Sequence, residues 1–320
     1  MKTPRFIALQ RVDDAALAAE AAAGLLSNPA AVSPKFFYDR LGSRLFDAIT
    51  ELDEYYPTRT EASIIEAHGE AILSAARAMT GDRPVLVDLG AGDCRKAARL
   101  FDGLAPRRYV AVDISVEYLR DALARLQREH PALDLVGIGT DFSSRLELPP
   151  EVVDGPALVF YPGSSIGNFP PDAALALLSQ AREAAAGGAL LIGVDLVKPA
   201  AVLEAAYDDP LGVTAAFDLN LLRHLNHRLG ADFDLRAWLH VALFDARASR
   251  IDMFLQARHA VTVRWAGVER VFAAGERIHT EHSYKWRPDD FAALLRDAGF
   301  SGVRSWTDPQ GWFGVFLARA

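Results

Sequence analysis

Two glycines in Asp88-Leu89-Gly90-Ala91-Gly92-Asp93 close an apolar run, Val85 to Leu89. Glycine lets a backbone turn where a Cβ would collide, so a ligand can come close to such a turn. Glycines between a strand and a helix also serve packing alone. A carboxylate, Asp113, ends the next apolar run, roughly 20 residues on, where it can accept both hydroxyls of a ribose. The third glycine of a dinucleotide fingerprint is missing: Arg95 takes its place and Lys96 follows, which weakens the fit to a pyrophosphate. Asp141-Phe142 comes after the third run, an aspartate to accept from an adenine amino group and a ring to cover the base. Each alone would also serve as a cap or core residue. Together they predict a nucleoside ligand.

Downstream, Tyr161-Pro162-Gly163-Ser164-Ser165-Ile166-Gly167-Asn168-Phe169 leaves the fourth run. Its polar groups hang over the carboxyl edge of a sheet, where open α/β folds bind ligands. Asn168 is the residue of interest, although an asparagine ahead of Pro170 also forms turns.

These groups depend on the elements that carry them. Val85 to Leu89, Tyr109 to Ile114, Leu133 to Ile138, Ala157 to Tyr161 and Ala189 to Val194 read as short strands, mostly separated by helical stretches. That alternation predicts βαβ units and a parallel sheet covered on both faces, a doubly wound α/β core. A helix from about Pro288 to Ala298 and strands at Val303 to Trp306 and Trp312 to Ala318 add a terminal antiparallel hairpin at the sheet edge. The alternation breaks at Leu196, and Leu196 to Arg287 reads as an α+β insertion with strands at Phe233–Trp238, Val241–Phe244, Ile251–Gln256 and Val261–Trp265. Before the core, Ala15 to Leu26 looks helical. A segment dense in Phe36, Phe37, Tyr38, Phe46, Tyr55 and Tyr56 follows, and Thr58 to Glu61 has capping-box spacing ahead of a helix with Ile64, Ile65, His68, Ile72 and Leu73 on one face.

The 320 residues, 51% hydrophobic and 24% charged, suffice for two domains or one large one with an insertion and exclude disordered and fibrous classes. A net charge of −8, with no concentrated basic face, argues against nucleic acid. One cysteine, Cys94, cannot form an internal disulfide, so a reducing compartment, the cytoplasm, is expected. The apolar stretch Phe6 to Leu9 is too short for a signal-peptide core. The longest uncharged stretch, between Asp154 and Asp172, holds four prolines and cannot span a bilayer as a helix. A soluble chain is expected, and nothing demands a partner subunit, so it is expected to be a monomer.

Glycines, ribose acid and adenine landmark in this order, with a terminal edge hairpin, resemble the class I methyltransferases. Their cofactor, S-adenosylmethionine, has no phosphates, which accounts for the absent third glycine. Longer motifs are more specific. Tyr38-Asp39-Arg40-Leu41-Gly42-Ser43-Arg44-Leu45-Phe46, Glu54-Tyr55-Tyr56-Pro57-Thr58-Arg59-Thr60-Glu61, the Gly163 to Asn168 segment, Ala206-Tyr207-Asp208-Asp209, Gly212 to Phe217 and Thr280-Glu281-His282-Ser283-Tyr284-Lys285 are similar to those of the histidine Nα-methyltransferases of ergothioneine biosynthesis. The match runs nearly end to end.

The resemblance implies transfer of three methyl groups from S-adenosylmethionine to the α-amine of L-histidine, through the mono- and dimethyl forms, to give hercynine. It implies a methyltransferase core at 61–195 and 286–320 and a smaller α+β substrate domain at 1–60 and 196–285. Asn168 and Tyr207 would hold the substrate carboxylate, and Glu281 and Ser283 would bond the two imidazole nitrogens. Tyr55, Gly90, Lys96, Asp113, Asp141 and Phe142 would bind the donor, Lys96 reaching its carboxylate unless it lies on a solvated helix face. Tyr38 would orient the amine and pass on its proton, and Tyr38, Phe46 and Tyr55 would offer aromatic faces to the quaternary product. His282, between the two imidazole readers, should point away from them on a strand. The displacement needs no metal, and no His/Cys/carboxylate spacing suggests one. The nearest rival is a methyltransferase of another small amine or amino acid. An NAD-dependent oxidoreductase would need the complete glycine fingerprint. A module that binds the donor without turnover would show itself by titration with donor alone.

Overall fold

The computed structural model describes residues 2–8, 14–143 and 145–320. Leu9, the end of the short apolar stretch near the amino terminus, lies outside the described residues. The chain divides into two compact units, Met1–Gln10 with Pro57–Val197 and Tyr284–Ala320, and Arg11–Tyr56 with Lys198–Ser283. Elements are numbered in chain order through both.

In the first unit the strands are β1 (Arg5–Ala8), β3 (Val85–Leu89), β4 (Arg108–Asp113), β5 (Asp134–Gly139), β6 (Ala157–Tyr161), β7 (Ala189–Asp195), β13 (Ser301–Thr307) and β14 (Phe313–Arg319). The helices are α3 (Tyr56–Thr80), α4 (Arg95–Ala98), α5 (Phe101–Leu104), α6 (Val116–Glu129), α7 (Pro171–Ala184) and α10 (Pro288–Asp297). One sheet runs in the order β1-β5-β4-β3-β6-β7-β14-β13. It is parallel from β1 to β7, while β14 is antiparallel to both β7 and β13. Residues of β3, β6 and β7 are buried throughout, which is why these strands read as unbroken apolar runs rather than alternating ones. This is the doubly wound sheet with its terminal hairpin.

The amino-terminal strand departs from the expectation that residues 1–60 all belong to the insertion's domain, for β1 pairs with β5, Phe6 opposite Gly137. A Cβ on Gly137 would lie 2.5 Å from the Phe6 ring, so the missing side chain makes room for that ring. Four residues are too few to show a strand's period. The predicted capping box at Thr58 does not form either. α3 already starts at Tyr56, and the Glu61 side chain turns inward.

In the second unit the helices are α1 (Asp14–Leu26), α2 (Arg40–Ile49), α8 (Ala200–Tyr207) and α9 (Val213–Leu229). Strands β2 (Ala30–Ala31), β12 (Arg277–Tyr284), β9 (Arg250–Ala257) and β8 (Trp238–Asp245) form a sheet in that order, and β10 (Val261–Trp265) pairs with β11 (Val268–Phe272). The strand expected at Phe233–Trp238 begins only at Trp238, because Asp234 accepts from the Arg236 amide and closes a 3-10 turn over Leu235–Ala237. No described helix is long and apolar enough to cross a membrane.

One polar residue interrupts the buried centre of the first sheet. Asp88 is 1% exposed; the Tyr109 hydroxyl donates to its Oδ2 at 2.6 Å, while Oδ1 has no partner. Burial, aided by the charges of Asp113 and Asp93 and opposed by the Tyr109 hydrogen bond and Lys96, raises its pKa from 3.8 to about 7. The folded protein thus binds this proton more tightly than the unfolded chain. Its stabilising share is complete below the unfolded value and is lost as pH rises from there to about 7. Asp88→Asn is expected to stabilise the protein more at pH 8 than at pH 4, by up to about 4 kcal/mol, read by urea unfolding at both pH values. An identical effect at the two would mean that Asp88 does not titrate in this way.

Candidate active site

β3 and β6 are neighbours, paired from Val85 and Ala157 to Asp88 and Phe160. The glycine turn after β3 and the Gly163–Asn168 segment after β6 therefore leave the carboxyl edge side by side, where the strand order reverses and open α/β sheets bind ligands. Gly90 and Gly92 have φ of +68° and +52°. A Cβ on Gly90 would find only the Phe142 ring within 4 Å, at 3.9 Å. The Gly92 amide donates to Asp113 Oδ2 at 2.9 Å and the Ser115 amide to Oδ1 at 2.8 Å. Burial raises the Asp113 carboxyl above its ordinary value, and the amides of Ser115, Gly92 and Ile114 work the other way. A carboxylate has about four acceptor sites, so one remains for a ligand hydroxyl beside the three amides. Phe142 packs edge-on to Tyr161, ring centres 5.9 Å apart, and Asp141 takes the Ser143 amide at 3.0 Å.

Lys96 does not sit on a solvated face. Its ammonium lies 2.9 Å from Glu61 Oε2, and Glu61 Oε1 accepts the Gly163 amide at 2.8 Å. Glu61, which sequence reasoning read only as a capping residue, joins both loops of the edge. The signal was available: Glu61 is in phase with Ile64, His68 and Ile72 on the inward stripe of α3, where an acid is out of place. Open space over Gly90, an aromatic ring beside it, a carboxylate with a spare acceptor site and an ammonium on the following helix fit a nucleoside with an amino-acid tail.

The second unit gathers the remaining candidates except Asn168, which is half-buried in the 3-10 turn Ser165–Asn168 of the first. Tyr38 packs on Phe46 and Phe217, Phe46 on Tyr55 and Phe217, and Tyr55 on Tyr207, with ring centres 5.9–6.3 Å apart. Phe217, on α9, is the hub of this cluster and was not singled out as a candidate. Tyr55 lies here among the aromatics. The Tyr207 hydroxyl is 2.7 Å from Ser283 Oγ. Asp39 fixes the chain next to Tyr38: its Oδ1 accepts from the Gly42 amide at 2.6 Å as the cap of α2 and from Asn220 Nδ2 of α9 at 2.8 Å. Gly42 must be glycine, since a Cβ would stand 1.7 Å from the Phe37 carbonyl oxygen.

Glu281 and Ser283 are both buried, and the manner of it is unusual. Burial alternates along β12 through Ile278 and Thr280, then slips one residue so that Glu281 and Ser283 continue the inward face. This slip breaks the two-residue period of an ordinary strand. It also puts His279 and His282, three apart, on the outer face, where both rings hydrogen-bond Asp252 Oδ1 at 3.2 and 2.5 Å while Arg250 donates to Oδ2 at 3.0 Å. His282 thus points away from its neighbours, as a strand requires. Burial tends to raise the Asp252 carboxyl, but the hydrogen bonds of His279, His282 and Arg250 win and hold it far below the ordinary range. The sequence showed no metal-ligand spacing, yet one ligand atom from each of Asp252, His279 and His282 lies within 4.8 Å of the others. The carboxylate between them already serves two rings and a guanidinium.

A family model described as a SAM-dependent, histidine-specific methyltransferase matches residues 17–320. The chain belongs to this family. It is 43% identical over 310 residues to a histidine N-alpha-methyltransferase of Mycolicibacterium smegmatis, covering 95% of this chain and 94% of the relative. The corresponding protein of Mycobacterium tuberculosis is 41% identical with the same coverage. Ergothioneine biosynthesis protein 1 of Schizosaccharomyces pombe is 29% identical over 83% of this chain and 36% of its own length. S-adenosylmethionine is the methyl donor of the family, and the residues around Gly90 fit it.

In this methyltransferase the Glu61–Lys96 pair bridges α3 and α4 with the acid 2% exposed. Glu61→Gln keeps an acceptor for the Gly163 amide but leaves the ammonium unmatched. A loss of about 1–3 kcal/mol is expected in urea unfolding, less than for a fully buried pair because Lys96 is one-third exposed. A loss below about 0.5 kcal/mol would show that the pair holds nothing together.

Proposed function

We propose that this methyltransferase moves three methyl groups from S-adenosylmethionine to the α-amine of L-histidine, giving hercynine by way of the mono- and dimethyl forms. The observation that carries this reading is the inward pair Glu281 and Ser283, with the Tyr207 hydroxyl beside Ser283. An imidazole presents an N–H and a lone pair on opposite sides of the ring, and a carboxylate with a hydroxyl can meet both. The names of the two mycobacterial relatives agree with it.

In this reading Glu281 and Ser283 bind the ring, and Asn168 and Tyr207 hold the substrate carboxylate. The Tyr207–Ser283 contact ties the residue read as holding the substrate carboxylate to one read as bonding the ring. Tyr55, Gly90, Lys96, Asp113, Asp141 and Phe142 bind the donor. Bound, the donor supplies an electrophilic methyl group on a sulfonium. The chain's residues supply position and dryness, since attack needs the amine in line with the methyl–sulfur bond and free of water. The attacking amine must be neutral, and the first two products each shed a proton before the next round. Tyr38 orients the amine and passes that proton on. Tyr38, Phe46 and Tyr55 then face a head that gains fixed charge as it loses N–H donors, a change aromatic faces accommodate. The enzyme works as a monomer in the cytoplasm, where the buried Cys94 stays reduced.

Incubation of the purified protein with S-adenosylmethionine and an equal mixture of amino acids, followed by mass spectrometry, is expected to show three methyl groups on histidine alone. Methylation of another amine, or of none, would remove the reading. Glu281→Gln is expected to lower kcat/KM for histidine about tenfold to a hundredfold, because an amide meets the ring N–H with a weaker acceptor and brings a donor of its own. Steady-state rates check this, and an unchanged kcat/KM would take Glu281 out of substrate recognition.

A further inference from the structure

The second unit buries a charged pair to which the methyl transfer assigns no task. His240 on β8 and Asp218 on α9 have side chains 1% and 0% exposed. His240 Nδ1 is 2.6 Å from Asp218 Oδ2, and Nε2 is 2.8 Å from the backbone carbonyl oxygen of Tyr207. A peptide carbonyl can only accept, and an ionised carboxylate can only accept, so both ring nitrogens must donate. An imidazole that donates from both nitrogens carries the second proton. Among the described residues Asp218 Oδ1 has no partner, and His240 is the one cation bonded to this carboxylate. A neutral ring would leave either the carbonyl or the carboxylate facing a lone pair.

Tyr207 is the last residue of α8, where helix carbonyls lack intrahelical partners and a positive charge is favoured. His240 meets both needs, and it does so at the residue whose hydroxyl stands 2.7 Å from Ser283 Oγ. Burial works against the imidazolium, but the Asp218 hydrogen bond and charge, the Tyr207 carbonyl and Asp208 just past α8 prevail and raise its pKa. Leu255 of β9 lies opposite His240 in the sheet, and Arg250 and Asp252 of β9 pair with each other on the other face. Glu204 of α8 accepts from the Phe244 amide.

We infer that His240 and Asp218 form a positioning pair for Tyr207, locking the end of α8 so that the Tyr207 and Ser283 hydroxyls are set for the substrate. The inference rests on the reading above that these two residues bind histidine. The proton that completes the pair is held more tightly than by a free imidazole and is lost as pH rises through the raised value, so the lock loosens on the alkaline side.

The test compares the full-length enzyme with Tyr207→Phe, His240→Leu and Asp218→Asn, with histidine varied at saturating S-adenosylmethionine. His240→Leu and Tyr207→Phe are each expected to raise KM for histidine about tenfold, with kcat changed less than about threefold and KM for the donor unchanged. For Asp218→Asn, whose buried ring gives up its proton first, the ratio of its KM to that of the parent is expected to be largest at pH 7 and to fall as the pH is raised through the parent's raised value, a comparison in which ionisation of the substrate amine cancels. Should His240→Leu not fold, 15N NMR of the parent at pH 8 reads the His240 ring directly, with both nitrogens expected protonated. A neutral His240 ring at pH 8, or a pH-independent KM ratio, overturns the pair. So does a parental KM in His240→Leu beside a raised KM in Tyr207→Phe, which leaves the substrate reading standing. A parental KM in Tyr207→Phe overturns the reading of Tyr207 and the inference with it.

Discussion

Removing a carboxylate from water is costly unless its charge is met, and in the first unit that requirement falls on Glu61. One oxygen takes the Gly163 amide and the other the Lys96 ammonium, so a single acid on α3 spans the helix after the glycine turn and the loop after β6. Even β7 yields to it: a Cβ on Gly193 would stand 1.9 Å from Glu61 Oε1. A second ion pair at the same edge, Lys285 with Asp195 at the end of β7, is sealed from solvent and 2.8 Å long. The loop and the strand beyond it meet there too, for a Cβ on Gly167 would come 2.9 Å from the Tyr284 carbonyl oxygen. Rigid charge pairs and glycines that permit close approach thus leave Asn168 on a segment with little freedom to shift.

The second unit repeats the device with aspartates. Asp39 caps α2 and reaches α9 through Asn220. Asp209 caps α9, accepting the amides of Thr214 at 2.7 Å and Val213 at 3.0 Å; burial tends to raise its carboxyl, but these bonds hold it low. Asp252 of β9 clips His279 and His282 on the outer side of β12. Each joins two segments, and Asp39 does so next to Tyr38, a member of the aromatic cluster centred on Phe217. Orientation comes from the charged anchors and volume from the rings, which explains why the motif around Tyr38 mixes an aspartate, a glycine and two aromatics in nine residues.

Most of the first unit was legible because its signals are periodic or local. Five buried strands show as apolar runs, the glycines and Asp113 mark the edge, and the terminal hairpin announces itself by its turn. Four features were not legible, for definite reasons. β1 has too few residues for a period, and its evidence is the room at Gly137 far along the chain. Glu61 sits at capping-box spacing but its partners are 35 and 102 residues away, so local grammar favoured the wrong role. The slip in β12 is a defect in alternation that looks, in sequence, like an ordinary strand with one polar residue too many. His240 and Asp218 carry no motif, because a buried pair on a strand and a helix is defined only by the packing of both.

The two ends of a histidine pose opposite physical problems. The imidazole keeps its hydrogen-bonding pattern through all three transfers, so fixed polar partners suit it, and under the proposed roles a substrate without those nitrogens would forfeit the bonds to Glu281 and Ser283. The amine changes at every step, losing donors and gaining a charge that cannot be removed. A carboxylate there would grip the quaternary product hardest, since nothing could neutralise the pair, whereas aromatic faces attract a cation by only about 0.5–2 kcal/mol and ask for no particular N–H. The second unit has this division built in, with buried acid and hydroxyl on β12 and a cluster of rings around Phe217. Under the proposed roles, selectivity rests with groups that lose bonds to the wrong substrate, and release with groups that ask for no particular N–H.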